Sequence, residues 1–457
     1  MSSAYNSIFE SPRLVGIKMT VKEMVLKRGW KILKFSECIE HINTGLNPRK
    51  NFTLGTGDIK YITAKNLTKF GTVDFSKCDF IDERAKSIIH RRSNIEVGDI
   101  LFSSRAPIGH CHLIKNEPND FDIGESIFAI RVNREVVLPA YMCLYLASDY
   151  YVEAASLHTT GSIIVEIRIG DLMNTEIIVP PMEIQKKIAD CLERIDRNLE
   201  LNRMINDNLQ HQLKLLYDYW FTQFDFPDEN GKPYRASGGA MVWNEQLKRD
   251  IPSDWQVKAI GDLITSDRGI SYSTKTISDK GTPMVNLASF TPIGEYKPEG
   301  IKYYTGEYSS EKILSPFDLV MCNTQQTAID YKKDIIGRSL LIPDIFDGDI
   351  VSSHHVTQIK PYNKLLKCYL HYLFNTDYFH KYIASHTNGT NILGLLFYGV
   401  EEFCIPIPDD DTLRKFDTLV INSEKIKSTI LKENQDLLSF RDWLLPMLMN
   451  GQATISD

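Results

Sequence analysis

A chain of 457 residues with 43% apolar and 24% charged side chains is long enough for two or three domains and too apolar to be a disordered tail. Its formal net charge of −7 excludes a uniformly basic nucleic-acid coat and leaves room only for local cationic patches. The cysteines (Cys38, Cys78, Cys111, Cys143, Cys191, Cys322, Cys368, Cys404) stand singly with no Cys-x-x-Cys pair, which reads as buried thiols in a reducing cytosol. No charged start followed by an apolar run opens the chain. The longest apolar stretch, around Ile392–Val400, is broken by glycines and too short to span a bilayer, so a cytoplasmic chain with no membrane partner is expected.

Residues 1–29 read as an N-terminal extension, without periodicity over 1–18 and with no function assigned. From Trp30 the chain follows one plan twice. Trp30-Lys31-Ile32 opens one head (30–180) and Trp255-Gln256-Val257 the other (255–408). Each opening leads through a short amphipathic segment into a glycine-containing polar loop, Asn43–Lys50 or Ser266–Lys275. Strand patterns follow at Lys60–Ala64 and Thr282–Leu287. Gly98-Asp99-Ile100-Leu101-Phe102 is echoed by Phe317-Asp318-Leu319-Val320-Met321. His158-Thr159-Thr160-Gly161 is echoed by His386-Thr387-Asn388-Gly389, and Ile178-Val179-Pro180-Pro181 by Ile405-Pro406-Ile407-Pro408. Ordered anchors of this kind mark a duplicated chain.

After each proline mark the spacing predicts a long helix, over 181–224 and over 409–449, with a turn-rich linker at 225–254 and a short tail at 450–457. In the first, Ile188, Leu192, Ile195, Leu199, Asn202, Asn206, Leu209, Leu213, Leu216 and Trp220 recur at fours and threes, the seam of a coiled coil. In the second, Phe416, Leu419, Ser423, Ile426, Ile430, Glu433, Leu437, Phe440, Leu444 and Met447 follow the same rule. About 40 residues at 1.5 Å each make a rod of roughly 60 Å, longer than a small domain is wide. The expected fold is α+β: two tandem globular heads separated by an antiparallel coiled coil of two long helices about a pseudo-twofold axis.

These residues resemble the specificity subunits of type I restriction–modification enzymes. The resemblance runs over nearly the whole chain from Trp30. It rests on Gly98–Phe102 leading to Ser103-Ser104-Arg105, on the helix entry Val179-Pro180-Pro181-Met182-Glu183-Ile184-Gln185, on Leu216-Tyr217-Asp218-Tyr219-Trp220-Phe221, and on Arg441-Asp442-Trp443-Leu444-Leu445-Pro446. One departure stands out. The family's Glu-Gln after Pro-Pro is Glu183-Ile184-Gln185 in the first copy and is missing from Pro408-Asp409-Asp410-Asp411 in the second.

The resemblance implies two target-recognition domains, each reading half of a split double-stranded DNA sequence. It also implies two methylase subunits using S-adenosylmethionine and motor–nuclease subunits consuming ATP with Mg. The chain itself carries no cofactor, no metal and no catalytic residue in this reading. Its residues agree: Pro180-Pro181 lacks the Asp or Asn and the aromatic of an adenine methylase loop, and no phosphate-cradling Gly-x-x-x-x-Gly-Lys-[Ser/Thr] exists. His110-Cys111-His112 and His354-His355 read as ordinary strand histidines. The alternatives are a non-catalytic coiled-coil scaffold and the recognition half of a stand-alone methylase or nuclease.

Reading bases needs Arg, Lys, Asn, Gln, Ser or Thr at base edges, with further cations and hydroxyls on phosphates. First-head candidates are Lys65 and Asn66 after a strand, Arg84, Arg91 and Arg92 in the densest basic run, Ser104 and Arg105 after the buried strand, and Thr160-Gly161-Ser162. In the second head, Asn323, Thr324, Gln325 and Gln326 take the place of Ser103–Arg105. Lys332 and Lys333 lie beyond them, with Asn388, Gly389, Thr390 and Asn391 in the glycine loop. A shared frame with unlike reading residues predicts an asymmetric bipartite target.

Overall fold

The computed structural model describes residues 21–49, 51–69, 71–149, 151–152, 166–326, 333–390, 392–453 and 455. The chain divides into two compact units, one of residues 1–200 with 436–457 and the other of residues 201–435. Both are mixed α+β.

In the first unit Lys31–Lys34 pairs antiparallel with Glu176–Val179, so the Trp-opened strand meets the strand that precedes the double proline. An antiparallel sheet runs in the order Ile39–Thr44, Ile127–Val132, Ile100–Ser103, Cys111–Leu113. A smaller sheet joins Asp79–Ile81, Ile59–Ile62 and Phe121–Ile123, the last two parallel. Strand Ile100–Ser103 is buried on both faces, as its unbroken apolar run demands. Ile100 and Phe102 enter a core with Tyr141 and Tyr145, while Leu101 faces Ile62, Ile123 and Ile127. The helix Val21–Lys27 belongs to the first of these cores, where Val25 and Trp30 are buried with Leu448 and Met449.

The second unit repeats the plan. Gln256–Ala259 pairs antiparallel with Cys404–Ile407. The main sheet runs Ile264–Arg268, Val356–Pro361, Leu319–Cys322, Ser339–Leu341, the order of the first unit strand for strand. Leu319 and Met321 enter one core, Val320 and Cys322 the other. Thr282–Val285 pairs in parallel with Val351–Ser352, as Ile59–Ile62 does with Phe121–Ile123.

The long helices are Met182–Tyr217, extended by a π-helical turn through Thr222, and Asp410–Met449. In the first unit Ile188, Leu192 and Ile195 share a core with Leu444 and Leu448, and Arg441 Nε donates to Asp196 at 2.8 Å. In the second unit Asn202 Nδ2 donates to Asn434 at 2.9 Å and to Glu433 at 3.2 Å, and Lys427 Nζ donates to Gln210 at 3.0 Å. Residue numbers rise on one helix as they fall on the other. The pairing is antiparallel.

The predicted seam needs correction on the second helix. Phe416, Ile430 and Leu444 are buried as predicted, but Leu419, Ile426 and Phe440 are 46%, 48% and 48% exposed, whereas Leu413, Val420, Glu424, Ser428 and Arg441 are buried. The seam lies mostly one residue further on. Several of its positions hold polar side chains satisfied by each other or by backbone, as where Ser428 Oγ accepts from Asp344 N–H at 3.0 Å. A search for apolar periodicity prefers the neighbouring Leu, Ile and Phe and slips out of register. On the first helix Ile188, Leu192, Ile195, Asn202 and Leu213 are buried, and Leu199, Asn206, Leu209 and Leu216 are half-buried.

The two helix entries solve one problem differently. Gln185 is wholly buried. Its Oε1 accepts from Leu138 N–H at 2.8 Å, and its Nε2 donates to Pro180 O at 2.9 Å and Val136 O at 3.2 Å, tying the helix start to the loop before the helix Pro139–Ala147. In the second unit, where this glutamine is absent, Asp409 caps the helix by accepting from Thr412 N–H at 2.9 Å, and Asn363 Nδ2 donates to Asp410 at 2.9 Å.

Candidate nucleic-acid interface

In both units the residue after the central buried strand is clamped by the same hydrogen bonds. Ser104 N–H donates to Ser126 O at 3.0 Å, and Ser104 O accepts from Ile167 N–H at 3.0 Å. Asn323 N–H donates to His355 O at 2.8 Å, and Asn323 O accepts from Leu395 N–H at 2.7 Å. The next residue bridges a neighbouring segment in both units, Arg105 opposite Glu166 and Thr324 opposite Gly394. A glycine then lets the polar loop close on the node. A Cβ on Gly45 would lie 1.8 Å from Ile123 O, and one on Gly269 would lie 2.2 Å from Ser352 O. The backbone frame is common to both heads; the side chains upon it are not.

In the first head Arg105 is a strut between two carboxylates, Nη1 to Glu125 at 2.9 Å and Nε to Glu166 at 3.1 Å. Asn47 Nδ2 also donates to Glu125 at 2.8 Å. The Asn47 amide, followed by the Arg105 guanidinium, holds the Glu125 carboxyl below the usual carboxylate range. In the second head the node carries Thr324, His354, His355, Tyr272 and Lys302. Thr324 Oγ1 and His355 Nδ1 are 2.7 Å apart, the two imidazoles have centroids 3.8 Å apart, and Lys302 Nζ sits 5.1 Å from the Tyr272 ring. Burial, then the neighbouring His354 and Lys302, depress the His355 imidazole below its ordinary value, so the ring is neutral at pH 7. Such sets donate and accept hydrogen bonds at a surface.

The predicted contact residues separate into frame and surface. Ser104, Asn323 and Gln325 are buried in the frame: Asn323 Nδ2 donates to Thr357 Oγ1 at 2.6 Å, and Gln325 Oε1 accepts from Ile335 N–H at 2.7 Å. Asn66 is buried too, its Oδ1 accepting from Thr63 N–H at 2.8 Å in a turn. At these four positions the side chain is buried rather than projected from a loop, with a polar group of each engaged by the chain's own backbone or neighbours, while Asn323 Oδ1 and Gln325 Nε2 have no hydrogen-bond partner among the described residues. Arg105 and Thr324 lie at the node. Lys65, Arg84, Arg91, Arg92, Lys333, Asn388, Gly389 and Thr390 are exposed. Gly389, at φ +123°, turns a hairpin where a Cβ would meet Ile392 O at 2.0 Å. Thr160, Gly161, Ser162, Lys332, Asn391 and the Gln326 side chain lie outside the described residues.

Sequence reasoning missed Asn47, Glu125, Glu166, Tyr272 and Lys302, and it dismissed His354 and His355. Aligning the two copies on their buried strands would have set His354-His355 against Glu125-Ser126. His110 and His112 Nδ1 each contact a backbone carbonyl, Leu67 O and Gly71 O, at 2.7 Å. No group of three or more metal-ligating side chains occurs among the described residues, and none of their helices is long and apolar enough to cross a membrane.

A duplicated α+β head carrying different polar clusters on one frame defines a two-headed recognition module. The family model for the type I restriction modification DNA specificity domain matches twice, over residues 27–211 and 252–432. The chain is similar to the type I restriction enzyme MjaIX specificity subunit of Methanocaldococcus jannaschii, 24% identical over 94% of this chain and 95% of the relative. It is also similar to the type I restriction enzyme HindI specificity subunit of Haemophilus influenzae, 23% identical over 78% of this chain and 87% of the relative. Among solved structures, the S subunit of a type I restriction–modification system from M. genitalium has the same fold, with a TM-score of 0.52 at 16% identity over 93% of this chain and 97% of that one. The chain belongs to the family of type I restriction–modification specificity subunits, with two DNA target-recognition domains and no catalysis of its own.

Proposed function

We propose that the two heads, 30–180 and 255–408, read the two unlike halves of a bipartite, asymmetric sequence in double-stranded DNA. The paired helices over 181–224 and 409–449 set the unread gap. The observation that carries this reading is the common frame with different chemistry at its node, Arg105 between Glu125 and Glu166 in one head and Thr324 with His355 in the other. Sequence is read by side chains on base edges while a scaffold fixes position, and this is the division of labour such a frame supports. Phosphates would be met by the exposed Lys65, Arg84, Arg91 and Arg92 in the first head and by Lys332 and Lys333 in the second. The loops holding Thr160-Gly161-Ser162 and Asn388-Gly389-Thr390-Asn391 lie against the backbone in this reading.

Two methylase subunits dock on this chain and supply S-adenosylmethionine chemistry, and motor–nuclease subunits join them with ATP and Mg. Exposed apolar residues on the long helices, Met204, Leu215, Ile426, Phe440 and Trp443 among them, offer surface for that docking. The assembly works in the cytosol. Mapping methylated adenines in DNA from cells carrying this chain and its methylase tests the reading. Two unlike half-sites at a constant gap are expected; a continuous or palindromic motif would overturn it, and an absence of motif would favour a protein scaffold.

A further inference from the structure

We propose that Tyr272, Lys302, Thr324, His354 and His355 form the base-reading centre of the second head, and that this centre takes the acceptor-bearing edge of guanine, N7 and O6, in the major groove. The proposal rests on the two-headed reading above and names the chemistry of one head. The five residues come from four separate segments gathered at the node that holds Arg105 in the other head, so nothing in the local sequence requires them to be polar together. Tyr272 lies with its ring 5.7 Å from His354 and 6.5 Å from His355, and Lys302 Nζ reaches its hydroxyl at 3.4 Å. Thr324 Oγ1 occupies Nδ1 of His355. When that hydroxyl donates, the neutral ring carries its proton on Nε2 and presents a donor.

A second observation points to a missing partner. Among the described residues His354 Nδ1, within the cluster, and Ser353 Oγ, on the same segment, are buried with no hydrogen-bond partner. Orphaned polar atoms are rare in folded interiors, and two on this segment mark a place where a ligand completes the set. The polarity of the centre follows from its members. No carboxylate bonds to any of the five among the described residues, and Lys302 is a cation, so the set suits acceptors. Guanine is the base with two adjacent major-groove acceptors. The first head has the opposite bias, because Glu125 and Glu166 hold the Arg105 guanidinium and leave carboxylate oxygens at its node.

The test uses the full chain in complex with its methylase subunit, with the motif read from duplexes selected out of a randomised pool. His355→Ala and Lys302→Met should each relax the preference for one guanine in one half-site by about tenfold, with the other half-site untouched. His355→Gln, which keeps a side-chain N–H, should retain most of it. Arg105→Ala serves as the first-head control, and thermal unfolding checks that each variant folds. If Arg105→Ala alters its half-site while the His355 and Lys302 variants leave theirs intact, or relax a position other than guanine, the centre is refuted and the two-headed reading stands. If no substitution in either head moves either half-site, both fall.

Discussion

Gln185→Leu removes a buried latch without opening a cavity. Leucine is close in volume and keeps the apolar burial of the site, but it leaves Leu138 N–H and the carbonyls of Val136 and Pro180 without their partner. An unsatisfied buried backbone group costs about 1–3 kcal/mol, the carbonyls towards the low end, and the relief of burying an amide offsets part of the sum. The expected loss is about 3 kcal/mol in the first unit. For a unit of this size a change of that magnitude lowers the midpoint by roughly 6–12 °C. Differential scanning calorimetry reads the shift, and amide exchange at Leu138 localises it, with protection there falling about a hundredfold. The second unit should keep its transition, because its helix entry rests on Asp409 and Asn363 instead. A midpoint within about 2 °C of the parent, with the Leu138 amide still protected, would refute the latch.

His371 is buried and its imidazole is pushed down to about 3, chiefly by burial, with Lys427 adding to it. The unfolded chain therefore binds a proton first as pH falls, and stability from this group is full above about pH 6.5 and declines towards pH 3 by up to about 1.4 kcal/mol per unit; denaturation of His371→Asn across that window should show a shallower acid loss. Gly45→Ala and Gly269→Ala place a Cβ against Ile123 O and Ser352 O. Each should displace the loop bearing Asn47 or Tyr272 and degrade one half-site while sparing the other, as read from the methylated motif. Inserting seven residues in the middle of each long helix adds about 10 Å, or about three base pairs of gap, with both half-sites unchanged; an unaltered gap in a folded, active variant would remove the helices as the ruler.

Much of the fold was legible because its signals are local and periodic. The unbroken runs Ile100–Ser103 and Leu319–Cys322 became central strands buried on two faces. The Pro-Pro and Pro-x-Pro marks became helix entries, and the repeat became two sheets with one strand order. The seam of the second helix was less legible. Its buried Glu424 accepts from Lys427, Ser428 bonds the Glu424 carbonyl and Asp344 N–H, and Arg441 donates to Asp196, and hydrophobic periodicity assigns no buried role to a polar residue that finds a partner.

The candidate interface divides the same way. Arg105 and Thr324 were findable because they follow directly on a buried strand, and the glycine loops because a turn announces itself in composition. That Ser104, Asn323 and Asn66 serve the frame, and that Glu125, Glu166, His355 and Lys302 stand at the node, depends on pairings between residues distant in sequence. By itself the sequence determined the duplication, the class of each element and the two long helices, since these follow from spacing along one segment. Only the tertiary structure decided which polar groups are consumed internally and which remain available at the surface, because a side chain's hydrogen-bonding capacity is finite and the partner that fills it comes from elsewhere in the chain.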